Sequence, residues 1–157
     1  MDALSSWFTT IPLDWFIIAL FCGILIIDGL RGNTSRATAL ALALPVAGFL
    51  LTLTETAAFT AAFTTANDMA RAITFLVLTG AVSLLAYRSL GYGDESGPLP
   101  SVMAALGATV VAVTVWVNLD VLRSIWDFAS SIDTLFGSSY ALFWIAGGLI
   151  LIAASRK

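Results

Sequence analysis

The sequence holds ten acidic and seven basic residues and no histidine, so the side chain that most often acts as general base or metal ligand is missing. No Ser/His or Cys/His pair can be assembled, and no glycine-rich phosphate loop precedes a helix. The acids do not cluster at ligand spacing. These features argue against an enzyme, against a bound metal and against a cofactor. What remains as candidate polar chemistry is a set of charges at the borders of apolar runs: Asp14, Asp28, Arg31 and Glu55.

The stretch ILIIDGLRGNTSR, residues 24 to 36, poses the sharpest case. Asp28 and Arg31 stand three apart and can pair on one helix face. Asp14 lies on nearly the same face as Asp28, about 21 Å away along a helix rising 1.5 Å per residue, and such a line of acids can serve a cation path. The competing reading makes these charges anchors. A charge at mid-membrane costs about 2.5–3.5 kcal/mol on insertion scales, and none of the four lies mid-run. Arg31 can reach the headgroups by its long stem. The anchoring reading suits Glu55 and Asp120 as well.

The elements that must position these residues follow from composition. Apolar residues make up 59% of the chain and charged residues 11%, against about 45–50% and 25% in soluble domains. The runs are continuously apolar and do not alternate as barrel strands do, and in lipid each helix satisfies its own backbone. The expected fold is therefore all-α: one multi-pass integral membrane helical bundle spanning residues 1–157, with the lipid bilayer as its first partner. Five spans are expected, at about 11–30, 37–53, 72–87, 102–119 and 140–154, or four if the last does not cross. One or two short interfacial amphipathic helices complete it. One is expected at 123–136, where Ile125, Phe128, Ala129, Ile132 and Phe136 share a face. The other expectation concerns TAAFTAAFT, residues 56–64, which either lengthens the second helix or lies in the interface. Trp7, Trp15, Trp116 and Trp126 fall near span ends, as an aromatic belt requires, with Trp144 deeper.

Arg31, Arg36, Arg88, Arg156 and Lys157 fall on one side of this layout and Arg71 and Arg123 on the other, so the basic-inside bias predicts an outer N-terminus and a cytoplasmic C-terminus. The acidic start MDALSSWFTT, with no small-x-small cleavage site after the apolar run, is expected to be retained rather than removed as a signal peptide. No basic cluster suits nucleic acid. Cys22 alone allows no internal disulfide. GNTSR, residues 32–36, predicts a tight hairpin with Thr34 or Ser35 as N-cap. The Gly-, Pro- and acid-rich segment 91–101 predicts a cytoplasmic loop, with Pro100 or Ser101 opening the fourth helix.

Small residues recur every fourth position in two spans: Ala39, Ala43 and Ala47 in the second, and Ala104, Ala108 and Ala112 in the fourth beside Gly107. Backbones in lipid approach where side chains are small, so these faces are expected to meet other helices. Gly147 and Gly148 predict close contact in the last span, and Pro45 a kink in the second.

Residues 13–50, LDWFIIALFCGILIIDGLRGNTSRATALALALPVAGFL, resemble the opening hairpin of the CvpA (colicin V production protein) family: an acid just before the first helix, an Arg/Gly turn, and a second helix at once. The later segments MARAITFLVLTGAVSLLAYRSL and PSVMAALGATVVAVTVWVNL are similar to that family's third and fourth helices. Ala108, Thr109 and Val110 stand where the family carries an Arg-Gly, and the fifth apolar segment is additional. The resemblance implies a small protein of the bacterial inner membrane with no catalytic residues, associated with toxin export or envelope homeostasis. On this reading the chain is an accessory or scaffold component acting through helix packing, in a homo-oligomer or a larger membrane assembly. The alternative is a small channel or transporter subunit whose path runs past Asp14, Asp28, Glu55 and the threonines at 52, 56, 60 and 64. A phage-type hole-forming protein is the third class.

Overall fold

The computed structural model describes residues 12–31, 34–57, 67–90 and 97–155. Among these, seven helices and no strands are formed: α1 (Leu13–Leu30), α2 (Thr34–Thr56), α3 (Asp68–Leu90), α4 (Pro98–Asn118), α5 (Asp120–Arg123), α6 (Ser130–Phe136) and α7 (Ala141–Ala154). α1 to α4 are each long and apolar enough to cross a membrane. Residues 58–64 of the TAAFTAAFT segment lie outside the described residues.

Local chemistry explains several boundaries. The Asn67 side chain accepts the Ala70 N–H at 2.7 Å, the pattern of an N-cap, so α3 opens four residues before the apolar run and takes Asp68 and Arg71 into its first turn. α4 starts at Pro98, after Gly97. Proline suits a first helical position because its missing N–H would have no partner there, and the Ser101 hydroxyl donates back to the Gly97 carbonyl at 2.8 Å. Both helices are thus longer than their apolar cores at 72–87 and 102–119.

α4 is the hub. It packs against α1, α2 and α7, while α3 leans chiefly on α2. The small-residue stripes are used up inside the chain: Ala39, Ala43 and Ala47 are fully buried, as are Ala104 and Ala108, whereas Ala112 is half-buried. The tightest crossing joins α4 to α7. A Cβ on Gly107 would stand 2.5 Å from the Gly148 carbonyl oxygen, and one on Gly148 would stand 2.7 Å from that of Gly107. Gly147 has open space where its side chain would be, so only one of the paired glycines makes the contact. α7 runs antiparallel to α4: Trp144 packs into the cluster of Val113, Val117, Ile132 and Phe136, and Ile152 reaches Gly107 further along.

One expectation is corrected. Residues 123–136 are not one amphipathic helix: α5 ends at Arg123, residues 126–129 are extended or irregular, and α6 starts only at Ser130. The apolar periodicity there is real, but long-range hydrogen bonds capture the backbone. α7, with 14 residues, is about 21 Å long, short of a hydrocarbon core of about 30 Å. It forms a bent pair with α6, the two at 76°, which together are long and apolar enough to count as one broken span, so the bundle has four such spans, or five with this pair. Tyr140 holds the N-cap position of α7 without a side-chain bond.

Candidate functional site

The charged residues gather at the two ends of the bundle. Asp14, in the first turn of α1, is buried. One carboxylate oxygen accepts the Trp126 indole N–H at 3.1 Å and the other the Ala129 backbone N–H at 2.7 Å. Both donors are neutral, and bonds of this charge-assisted kind are roughly twice as strong as neutral ones. Asp14 thereby ties residues 126–129, here called the strap, to the start of the chain. The strap is held from α4 as well: the Trp116 indole donates to the Trp126 carbonyl at 3.0 Å, and the Trp116 and Phe128 rings meet edge to face at 6.1 Å. Asn118 donates to the Thr114 and Phe136 carbonyls at 2.7 and 2.8 Å, fixing α6 to the end of α4. Arg123 bridges Asp127 at 3.3 Å and Asp133 at 2.9 Å.

The other candidates are placed differently. Glu55, at the end of α2, accepts a 2.6 Å bond from Arg71, which also lies 3.7 Å from Asp68; this joins α2 to α3 at the strap end. Asp28 sits at the opposite end and pairs with Arg36, at 3.2 Å across the α1–α2 turn. The expected Asp28–Arg31 pair is thus replaced by one that spans the hairpin: Arg31 sits at the C-cap of α1, its N–H bonded to the Ile27 and Asp28 carbonyls, with its side chain exposed. Asp14 and Asp28 therefore belong to separate clusters. Thr52 and Thr56 spend their hydroxyls on α2 carbonyls, and Thr60 and Thr64 lie outside the described residues.

Between the two charged ends lies an apolar chamber of about 630 Å³. Ile17, Ile18 and Phe21 of α1 form one wall and Phe75, Leu76 and Thr79 of α3 the other, with Ala112 and Trp116 of α4 behind and Trp126 and Phe128 of the strap across the end. α1 and α3 flank α2 and α4 without packing closely on each other. Ile17, Leu76 and Ile125 on the rim are exposed, so the chamber opens sideways through the α1–α3 gap. Leu40 is shared with a second cleft of about 390 Å³, lined by Leu25, Arg36, Gly80, Ser83 and Tyr87 toward the other end.

Comparison with protein-family models, curated proteins and solved structures found no significant match. Among the described residues no group of three or more His, Cys, Asp or Glu side chains could hold a metal ion. The chamber carries no charged side chain and no nucleophile beyond the Thr79 hydroxyl. Its geometry suits enclosure of an apolar body.

Reasoning from sequence missed the partners of Asp14 and the place of Thr79 on the chamber wall. Trp126 was legible as a belt residue, but its N–H reaches an acid 112 positions away, a separation that no local pattern encodes.

Proposed function

We propose that the chain is a non-enzymatic, multi-pass membrane protein that serves as an accessory or scaffold component, binding rather than transforming its partners. The observation that carries this reading is the division of charge. Asp14, Asp28 and Glu55 each have their carboxylates engaged by hydrogen bonds or an arginine at a bundle end, and the space between the ends is walled by apolar side chains. Conduction requires polar groups along a continuous path, so the channel alternative draws no support from this arrangement. The buried alanine stripes stabilise the chain itself, which leaves contact with other copies or a larger assembly to the apolar outer faces of α1, α3 and α7. The CvpA-like export or envelope role is proposed from the resemblance of residues 13–50 and of the third and fourth apolar segments.

The bacterial inner membrane, with N-terminus outside and C-terminus inside, is proposed from the basic-residue bias. The antiparallel course of α7 along α4 supports a C-terminus on the same side as the loop that precedes Pro98. Reporters fused within residues 91–101 and at the C-terminus test this, and both are expected to report cytoplasm. The chain should resist alkaline extraction from membranes, cross-link as more than monomers in native membranes, and pass no ions in liposomes, with Asp28→Asn making no difference to flux. Release by alkali would refute the bilayer setting, and a current abolished by Asp28→Asn would favour the channel instead.

A further inference from the structure

The chamber and the cleft beside it form one groove. Both are walled by α1 and α3 and floored by α2, and Leu40 belongs to both. The lining runs Arg36, Leu40, Leu44 on α2 and Leu76, Gly80, Leu84 on α3, each residue one helical turn from the next. Gly80 falls at the junction. Nothing lies within 4 Å of where its side chain would be, so the passage stays open where a leucine like its neighbours on that stripe would block it. From Tyr87 to Ala72 the groove extends about 22 Å at 1.5 Å per residue. Inside, its surface is apolar, since the Thr79 hydroxyl oxygen is inaccessible; polar lining is confined to the mouth, at Arg36, Ser83 and Tyr87. The two ends differ in charge. Beyond the strap, Arg71 and Arg123 are each within ion-pair distance of two acids, and Asp14 and Asp120 add to the acidic excess. At the mouth, Arg31, Arg36 and Arg88 are exposed, and Asp28 is the one acid among the described residues at that end.

We propose that this groove holds an anionic glycerophospholipid from the leaflet at the Arg36 end, its phosphate against the Arg36 guanidinium and one acyl chain running over Leu40 into the chamber. A chain spans one leaflet, about 15 Å or half of a hydrocarbon core of about 30 Å, which carries it from Tyr87 to the level of Leu76 and Thr79. Lipid tails are as apolar as the walls, so the chamber admits the chain without selecting the lipid. Selection comes from the mouth. Arg36 gives one nitrogen to Asp28 at 3.2 Å and its side chain is still 61% exposed; a guanidinium has five N–H donors in a fork that matches phosphate. A lipid from the opposite leaflet would set its phosphate among the acids beyond the strap, where like charge repels it. The inference rests on the bilayer setting proposed above and not on the accessory role. Alkaline extraction tests that setting, whereas lipid binding is measured on the purified full chain in detergent micelles, so the two can fail separately.

The test titrates the chain, in uncharged detergent, with phosphatidylglycerol brominated near the ends of its acyl chains and follows tryptophan fluorescence, since bromine quenches indoles it touches and Trp116 and Trp126 line the chamber. Saturable quenching is expected for the native chain, reversed by unbrominated phosphatidylglycerol and not by inorganic phosphate. Phosphatidylcholine, whose headgroup has no net charge, should compete roughly five- to tenfold less well. Gly80→Leu fills the junction without a clash and should remove the saturable component. Arg36→Gln should raise Kd roughly five- to tenfold, the loss of about one hydrogen bond to a charged group. Asp28→Asn breaks the same ion pair but keeps the guanidinium, so it should bind at least as tightly as the native chain. Linear quenching that Gly80→Leu does not alter would overturn the groove. Saturable quenching indifferent to Arg36→Gln, or reversed equally by phosphatidylcholine, would overturn the headgroup assignment. Reversal by inorganic phosphate would make a free anion the ligand, and equal weakening by Asp28→Asn and Arg36→Gln would reduce Arg36 to a structural contact; either result overturns the proposal.

Discussion

The two sides of α4 solve opposite packing problems. Toward α7 the backbones approach until Gly107 and Gly148 leave no room for a side chain. Toward the gap between α1 and α3, the same helix presents the half-buried Ala112 and Trp116 to open space. In lipid, helices associate through close packing and interhelical hydrogen bonds rather than through exclusion of water. One face thus supplies the cohesion that lets the other remain open. The contrast separates residues that hold the bundle from residues that line the open chamber.

Substitutions can break this contrast in graded steps. The largest effect is expected for Gly107→Ala or Gly148→Ala: the added methyl meets backbone, which cannot rotate away, and the cost should lie at the upper end of the usual overpacking range, about 3 kcal/mol. Reversible unfolding in mixed micelles measures the loss. Asp14→Ala comes next at about 2 kcal/mol, because it removes two hydrogen bonds to an ionised acceptor and leaves the Trp126 and Ala129 N–H groups unpaired; a red-shifted tryptophan emission would accompany release of the strap. Thr79→Val should raise stability by about 1 kcal/mol, since it deletes a hydroxyl that the protein itself leaves unsatisfied. Loss of stability in that variant would mean the hydroxyl has a partner. Gly147→Ala sharpens the comparison from the other direction: with open space at its Cβ position, the substitution should fall within about 0.5 kcal/mol or gain slightly from alanine's better helix propensity.

Much of the helical layout was legible because apolar runs announce themselves, and the alanine stripes marked faces that are in fact buried except at Ala112. Helix ends were less legible. Asp68, Arg71 and Arg88 read as flanks of a span at 72–87, yet α3 includes all three, because a cap at Asn67 and the Glu55–Arg71 pair extend the helix past its oily segment. The segment 123–136 carried a helical period and still broke, since a carboxylate from the first helix takes the Ala129 N–H. Asp28 offered a near partner in Arg31 and took the farther Arg36, which the hairpin turn brings alongside. The chamber could not be read in one dimension: its walls come from five helices and the strap, and Thr79 differs from other threonines only by what surrounds it.

The tie between Asp14 and Trp126 also sets an order of assembly. The acid emerges from the ribosome 112 residues before its indole partner, an interval of roughly 6–22 s at 5–20 residues per second. During that time the first helix has neither of its two donors. Its carboxylate must wait in water or among headgroups until the later segment is made, so the start of the first helix is locked down only after the fourth helix has been synthesised.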